Sequence, residues 1–368
     1  MKFTVSRQLL LKPLQLVAGV VERRNTLPVL ANVLVETTDS GIRLTGTDLE
    51  VSVVAKVHGA EIAREGSATV PARKLADICR SLPDDALVSI ELEDQRAVVR
   101  SGRSRYALAT LPVSDFPSIR EEGKEEVRVT LDAKLLARLI AQVGFSMAQQ
   151  DVRYFLNGML LELTPTHTRV VATDGHRLAM ATVPQAGGTA AKSQAIIPRK
   201  GVLEIARLLG DADGDMRLVL GQSQLALDTG DFELITKLID GRFPDYEKVV
   251  PKHDGAILKA DRGALRLACQ RASILSNEKY RGVRLLVEPE QLTIQANNPE
   301  QEEALEVVQV EFGGQAMEIG FNVSYLQEVL GALETEEIQM SMADANSSAV
   351  IRGVGNEEAL YVVMPMRL

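Results

Sequence analysis

Asp174 and His176 flank Gly175, and a carboxylate beside an imidazole is the pairing in this 368-residue chain that most suggests general acid–base chemistry. The same three residues also read as an Asp-Gly turn, and no partnered serine, cysteine or second histidine motif accompanies them. The turn is the better reading. Cys79 and Cys269 lie far apart inside helical patterns, which supports neither a disulfide framework nor a metal knuckle, and free thiols of this kind are usually buried. No GxxxxGK[ST] loop is present for nucleotide phosphates, and Gly353-Val354-Gly355 lacks the third glycine and the following helix of a dinucleotide site. The sequence therefore reads as a non-enzyme, with no metal and no cofactor expected.

The residues around the turn explain it better than catalysis does. From Arg153 to Val183 the chain shows apolar alternation through Met159, Leu161 and Leu163, a Thr-Pro-Thr turn, a β-branched run from Thr168 to Thr173, and then Asp174-Gly175. The same order of events recurs roughly 125 residues earlier and later, a period long enough for each copy to be a domain. Pro71-Ala72-Arg73-Lys74 and Pro198-Arg199-Lys200 are the clearest echo, each leading from a strand into a helix with proline suited to its first turn. Helices are expected from Ser6 through Val21, with Pro13 bending the first, from Pro71 to Leu82, from Asp132 to about Ala148, from Pro198, from Asp261 to Ser276, and after Asn322. The final strand is expected over Ala359 to Met364. The fold class is α+β, three repeated domains of two helices and about eight strands, with boundaries at 1–125, 126–253 and 254–368 and a charged linker at Glu121 to Glu126. Like units in a row can cover their sheet edges by pairing edge to edge.

Charge sharpens the picture. The net charge is −9, which argues against a generic nucleic-acid coat, yet the six predicted helices together carry +8 and leave −17 on the rest. A basic helical layer inside an acidic shell is the footprint of a nucleic-acid channel. Compact domains of this size are about 30 Å across, so three in a ring leave a hole of about 5 Å and six leave about 30 Å. Only six admit a duplex, which requires two chains. The sequence has no run of about 18 apolar residues and no signal peptide, so a soluble, cytoplasmic protein without membrane attachment is expected.

Four segments bear a family resemblance: Thr173-Asp174-Gly175-His176-Arg177-Leu178, Gly241-Arg242-Phe243-Pro244-Asp245-Tyr246, Ser276-Asn277-Glu278-Lys279-Tyr280-Arg281-Gly282-Val283, and the ending Val362-Val363-Met364-Pro365-Met366-Arg367-Leu368. Through them the whole chain resembles the bacterial sliding clamps, the beta subunits of DNA polymerase III. The resemblance implies a head-to-tail homodimer, a six-domain ring around double-stranded DNA without sequence specificity. Such a ring tethers the replicative polymerase alpha subunit, the clamp loader, and other polymerases and repair proteins that carry clamp-binding peptides. It also implies a peptide pocket walled by Leu156, Thr173, Gly175, His176, Arg177, Leu178, Pro244 and Val249, and closed by Asn322, Tyr325, Ser348, Val362, Met364, Pro365 and Met366. DNA contacts would come from Arg24, Arg73, Gln150, Tyr154, Arg199 and Lys200. The dimer contact would set Lys74, Arg103 and Arg105 against Glu300, Glu302, Glu303 and Glu306, with Ile274 and Leu275 as apolar anchors. The chain departs from the family pattern at Phe155, at Glu247-Lys248 and at Asn346. A sequence-specific regulator is the rival DNA-binding reading, but it would need a base-reading helix, and no helix here has that character.

Overall fold

A computed structural model describes residues 1–21, 27–118, 127–184, 191–252 and 255–367. The linker expected at Glu121 to Glu126 lies outside them, as does Arg24. Six α-helices are present among the described residues: α1 Arg7–Val20, α2 Ala72–Ser81, α3 Ala133–Val143, α4 Arg199–Leu209, α5 Arg262–Ala272 and α6 Val323–Ala332. Side-chain oxygens start four of them. Ser6 accepts from the Leu9 amide at 3.3 Å, Asp132 from Leu135 at 2.8 Å, Asp261 from Ala264 at 2.6 Å and Asn322 from Ser324 at 2.9 Å. Pro71 is the residue before α2 rather than part of its first turn. The expected helices over 132–148 and 261–276 are shorter, because a 3₁₀ turn takes over at Gly144–Ser146 and at Ser273–Leu275. α1 runs through Pro13 as one helix from Arg7 to Val20.

The chain divides into two compact units, Met1–Ala137 with Leu203–Leu238, and Arg138–Val202 with Ile239–Leu368. The first holds a five-stranded sheet, in order Glu61–Arg64, Lys2–Ser6, Leu87–Glu93, Arg96–Ser101 and Ser104–Ala109. It also holds an eight-stranded sheet, in order Val127–Asp132, Asp215–Leu220, Gln224–Asp228, Phe232–Lys237, Val51–Val57, Gly41–Thr47, Asn32–Thr38 and Ser67–Pro71. Twelve strands make the sheet of the second unit: Ser193–Pro198, Gly158–Leu163, His167–Thr173, Arg177–Pro184, Asn356–Val363, Ala349–Gly353, Glu337–Met342, Ala256–Asp261, Glu303–Phe312, Gln291–Asn297, Gly282–Val287 and Met317–Asn322.

Successive repeats are thus joined edge to edge, as the sequence led one to expect. Phe232–Lys237 of the middle repeat pairs antiparallel with Val51–Val57 of the first, and Arg177–Pro184 pairs with Asn356–Val363 of the third. The middle repeat gives strands to both units. The last strand ends at Val363, so Met364 leaves the sheet rather than closing it. Glu61–Arg64 escaped the sequence reading because this four-residue edge strand is mostly exposed and shows no apolar alternation.

Close approach of α1 to its sheet depends on one residue without a side chain. α1 buries Leu10, Leu14, Val17 and Val20, and a Cβ on Gly46 would meet Val17 Cγ1 at 2.7 Å and the Val17 carbonyl oxygen at 2.8 Å. Alanine in a strand normally gains about 0.5–1 kcal/mol over glycine. Here the sign should reverse, and Gly46→Ala is expected to cost about 1–3 kcal/mol by overpacking, read as a lower urea midpoint at unchanged m-value.

Candidate functional site

The turn at Thr173 to Leu178 is built by its own polar side chains. Thr173 Oγ1 accepts from the Gly175 amide at 3.1 Å and donates to the Arg177 carbonyl at 2.6 Å, while Asp174 Oδ1 accepts from the amides of His176 at 2.9 Å and Arg177 at 3.0 Å. Asp174 Oδ2 accepts from Arg177 Nε at 3.1 Å. Both carboxylate oxygens therefore serve the turn, and neither bonds the exposed His176 ring, which removes the acid–base reading on geometry. Gly175 holds φ +89°, and the Arg153 guanidinium lies against it, 2.9 Å from where a Cβ would sit. The positive φ disfavours any other residue there, whereas the guanidinium is the far end of a flexible side chain and can move aside.

The C-terminal segment returns to this turn. The Met364 amide donates to the His176 carbonyl at 3.0 Å, Leu178 pairs with Val362 in register, and the Met366 amide donates to the Gly320 carbonyl at 2.8 Å. Arg177 is the hub between them. Its guanidinium lies 4.3 Å from the centre of the Tyr325 ring and 5.2 Å from that of Phe145, donates to the Phe145 carbonyl at 2.8 Å, and pairs with Glu328. Leu156, Leu178 and Val362 are 1–2% exposed, so they form floor beneath the surface rather than wall, and Thr173 and Arg177 are also buried. The exposed apolar surface comes from Val249 and Met364, with Pro244, Tyr325, Ser348, Pro365, Met366 and the Asn322 cap half-buried around them. Cavities of about 470 and 260 Å³ are both lined by Met366 and Arg367, the larger also by Tyr280 and the smaller by Asn346. Met366 is the one residue of the expected pocket that lines either hollow, and the rest of their linings is largely polar, so they extend from the tail rather than from the Thr173 to Leu178 turn.

Tyr154 is 57% exposed, packs edge-on against Phe155, and follows Gln150, which is also exposed and holds φ +56°. Arg199 opens α4 and its guanidinium points to the Met147 carbonyl at 3.5 Å, with Lys200 next to it. In the other unit, Arg73 donates to the Val21 carbonyl at 3.0 Å and lines a groove with Gln15, Gly19 and Arg80 of about 500 Å³. Cationic side chains thus stand at the starts of both α2 and α4, where the two Pro-containing echoes predicted them.

Three family models cover the chain: the N-terminal, central and C-terminal domains of the DNA polymerase III beta subunit match residues 1–120, 130–245 and 247–367. The chain belongs to the DNA polymerase III beta subunit family. Beta sliding clamps of Pseudomonas putida and Escherichia coli are 54% and 50% identical to it, each over the full length of both chains. A crystal structure of the beta subunit from Pseudomonas aeruginosa superimposes with a TM-score of 0.97 at 53% identity, and one from Caulobacter crescentus with 0.95 at 37%, both covering all of each chain. The beta subunit family consists of processivity factors, not catalysts.

Family membership fits what the remaining titratable groups do. Burial pushes the thiols of Cys79 and Cys269 up to about 11 and about 12, so both are inert. Glu162, 1% exposed, is a structural carboxylate. Burial alone would raise its pKa, but hydrogen bonds from Lys192 at 2.7 Å, Gln194 at 2.7 Å and His167 at 3.3 Å outweigh that and hold it at about 2. Tyr246 donates to it at 3.1 Å, and Tyr246 packs with Phe243, Leu178 and Val362, so the Phe-Pro-Asp-Tyr segment is anchored through this carboxylate. The folded pKa lies below the ordinary 4.5, so the stabilisation is complete above about pH 4.5 and is lost as the pH falls towards 2. Glu162→Gln is expected to lower stability at pH 7 by on the order of 3 kcal/mol and to flatten its decline between pH 5 and about 3, measured by urea midpoints.

Sequence reasoning missed Arg153, Phe145 and Glu328, which place the turn and its arginine. Nothing in their local pattern marks them, because their roles depend on contacts across 20 to 150 residues of chain. Of the departures, Phe155 is part of the apolar cluster, and Lys248 pairs with Asp245 at 2.9 Å.

Proposed function

We propose that two copies of this beta subunit close head to tail into a six-domain ring on duplex DNA, and that the ring tethers its partners through peptides seated on the C-terminal tail. Repeats at 1–125, 126–253 and 254–368 are the domains of each half. The partners are the polymerase alpha subunit, the clamp loader, and other polymerases and repair proteins with docking peptides. Arg24, Arg73, Gln150, Tyr154, Arg199 and Lys200 meet phosphates without reading sequence.

The observation that carries the ring is an exposed apolar edge. In Glu303–Phe312, residues 303–309 pair only with Gln291–Asn297, while the neighbouring strand takes over at Val310. Leu305 and Val307 on this edge are 56% and 51% exposed, and Ile274 is 75% exposed. In the other unit Ser104–Ala109 ends its five-stranded sheet and carries Arg105, with Arg103 and Lys74 also exposed. An uncovered strand edge invites another chain, and a contact between two different surfaces closes into a ring when its rotation allows. Some of the expected ion-pair groups already have partners in their own chain. Arg105 lies 3.6 Å from Glu93, Glu306 accepts from Arg271 at 2.9 and 2.6 Å, and Glu302 accepts from Asn298 at 2.6 Å. Affinity should therefore come from Ile274, Leu275, Leu305 and Val307, and the charges should set register.

Sedimentation tests this directly. The 40.0 kDa chain is expected at twice its mass at micromolar concentration, and Ile274→Asp combined with Leu305→Asp should return it to monomer with its far-ultraviolet spectrum unchanged. A native chain that sediments as a monomer would end the ring proposal.

A further inference from the structure

The joint inside the first unit repeats the register that surrounds the docking turn of the second. Thr47 pairs with Ser52 as Thr173 pairs with Leu178, and Ser52 faces Ile235 across the joint as Leu178 faces Val362. The turn chemistry is the same. Thr47 Oγ1 accepts from the Leu49 amide at 3.1 Å and donates to the Val51 carbonyl at 3.1 Å, and Asp48 Oδ1 accepts from the amides of Glu50 at 2.9 Å and Val51 at 2.8 Å. Even the left-handed apex recurs, at φ +78° for Leu49 and +89° for Gly175.

A cavity of about 90 Å³ lies at this joint. Its lining residues Thr47, Leu49, Glu50, Ser52, Ile235 and Lys237 occupy the places that Thr173, Gly175, His176, Leu178, Val362 and Met364 hold in the other unit. Pro117 joins them, and it follows a phenylalanine as Pro244 does. We propose that this cavity is a second docking pocket, one that takes a single small aliphatic side chain of a short uncharged peptide segment. The proposal rests on the peptide-docking reading of the Thr173 to Leu178 turn.

Size and lining select the occupant. A hollow that binds benzene measures about 150 Å³, so about 90 Å³ admits a side chain of valine or proline size and excludes phenylalanine. Ile235 and Pro117 supply apolar floor, and the hydroxyls beside them are already used, since Ser52 donates to Thr47 Oγ1 at 2.7 Å and Thr47 donates to the Val51 carbonyl, so an aliphatic side chain leaves neither of them unpaired. Glu50 and Lys237 carry opposite charges at the rim, which favours neither an acidic nor a basic ligand. Leu49 narrows the mouth. It is 42% exposed at a left-handed backbone conformation that residues other than glycine rarely adopt, and its counterpart is glycine.

Methyl-resolved NMR on the full chain separates the two pockets, because Leu49 and Ile235 report one while Leu178, Val362 and Met364 report the other. The probes are acetyl-Gly-Val-Gly-amide and acetyl-Gly-Phe-Gly-amide, titrated to about 10 mM, a range suited to dissociation constants of about 1 mM or weaker. The valine peptide is expected to shift Ile235 saturably and the phenylalanine peptide to leave it unmoved. Leu49→Gly should tighten the Ile235 response to the valine peptide at least threefold and admit phenylalanine, without changing the response at Leu178. An Ile235 methyl that the valine peptide leaves unmoved in both the native chain and Leu49→Gly overturns the second pocket, whatever Leu178 does. Silence at Leu178 and Val362 with a saturable shift at Ile235 would instead count against the first pocket and uphold the second.

Discussion

Loaded onto a nicked circular duplex, the protein is expected to stay, and to be lost once the circle is linearised. The physical reason is that phosphate contacts are weak and salt-sensitive, whereas a closed ring on a closed circle is held by topology. For about 6–10 phosphate contacts, affinity falls by about 10³–10⁵ between 50 and 200 mM salt. Retention on the circle should hardly change over that range, and the survival of the protein on linear DNA should collapse. On the ring proposal, the cationic starts of α2 and α4 would need only to keep the duplex centred. Retention on linear DNA at one sequence would instead favour a regulator that reads bases.

Removing Met364 to Leu368 should weaken binding of polymerase-derived peptides by more than about a hundredfold, since two apolar side chains at about 1.5–3 kcal/mol each leave the site. The deletion begins one residue beyond the last strand, so the sheet keeps all of Asn356–Val363. It takes away the Met364 amide that bonds the His176 carbonyl and the Met366 amide that bonds Gly320. No tail residue belongs to the proposed dimer edge, and the sedimenting mass should stay that of the native protein. Isothermal titration with a peptide from the polymerase tail reads the first quantity. Unchanged affinity would remove the tail from the docking site.

The repeat was legible because its signals are local. A β-branched run, an Asp-Gly turn and a Pro-Arg-Lys strand-to-helix junction each act over a few residues and recur at one spacing. Helix ends were less so, since the 3₁₀ turns at Gly144–Ser146 and Ser273–Leu275 have helical composition and differ only in hydrogen-bond pattern. In the proposed docking site, the turn and the tail could be named from their residues, but which of them are floor could not. Leu178 and Val362 look like binding residues in sequence and are 1% exposed, because they share a core cluster with Val171, Phe243 and Tyr246. Arg177 was named for the pocket, yet its bonds to Phe145 and Glu328 and its stacking on Tyr325 are contacts that only folding creates.

The middle repeat places its strands Asp215–Leu220, Gln224–Asp228 and Phe232–Lys237 in one sheet and Gly158–Leu163, His167–Thr173 and Arg177–Pro184 in another. Repeats and compact units therefore divide the chain at different places, because the sheets are continuous where successive repeats meet. A middle repeat excised at its own ends would carry two raw strand edges and half of two cores, and should aggregate. Shuffling these modules between relatives would have to be done out of phase with the repeats, with cuts inside α3, inside α4 and after Leu238, the three places where the compact units divide the chain.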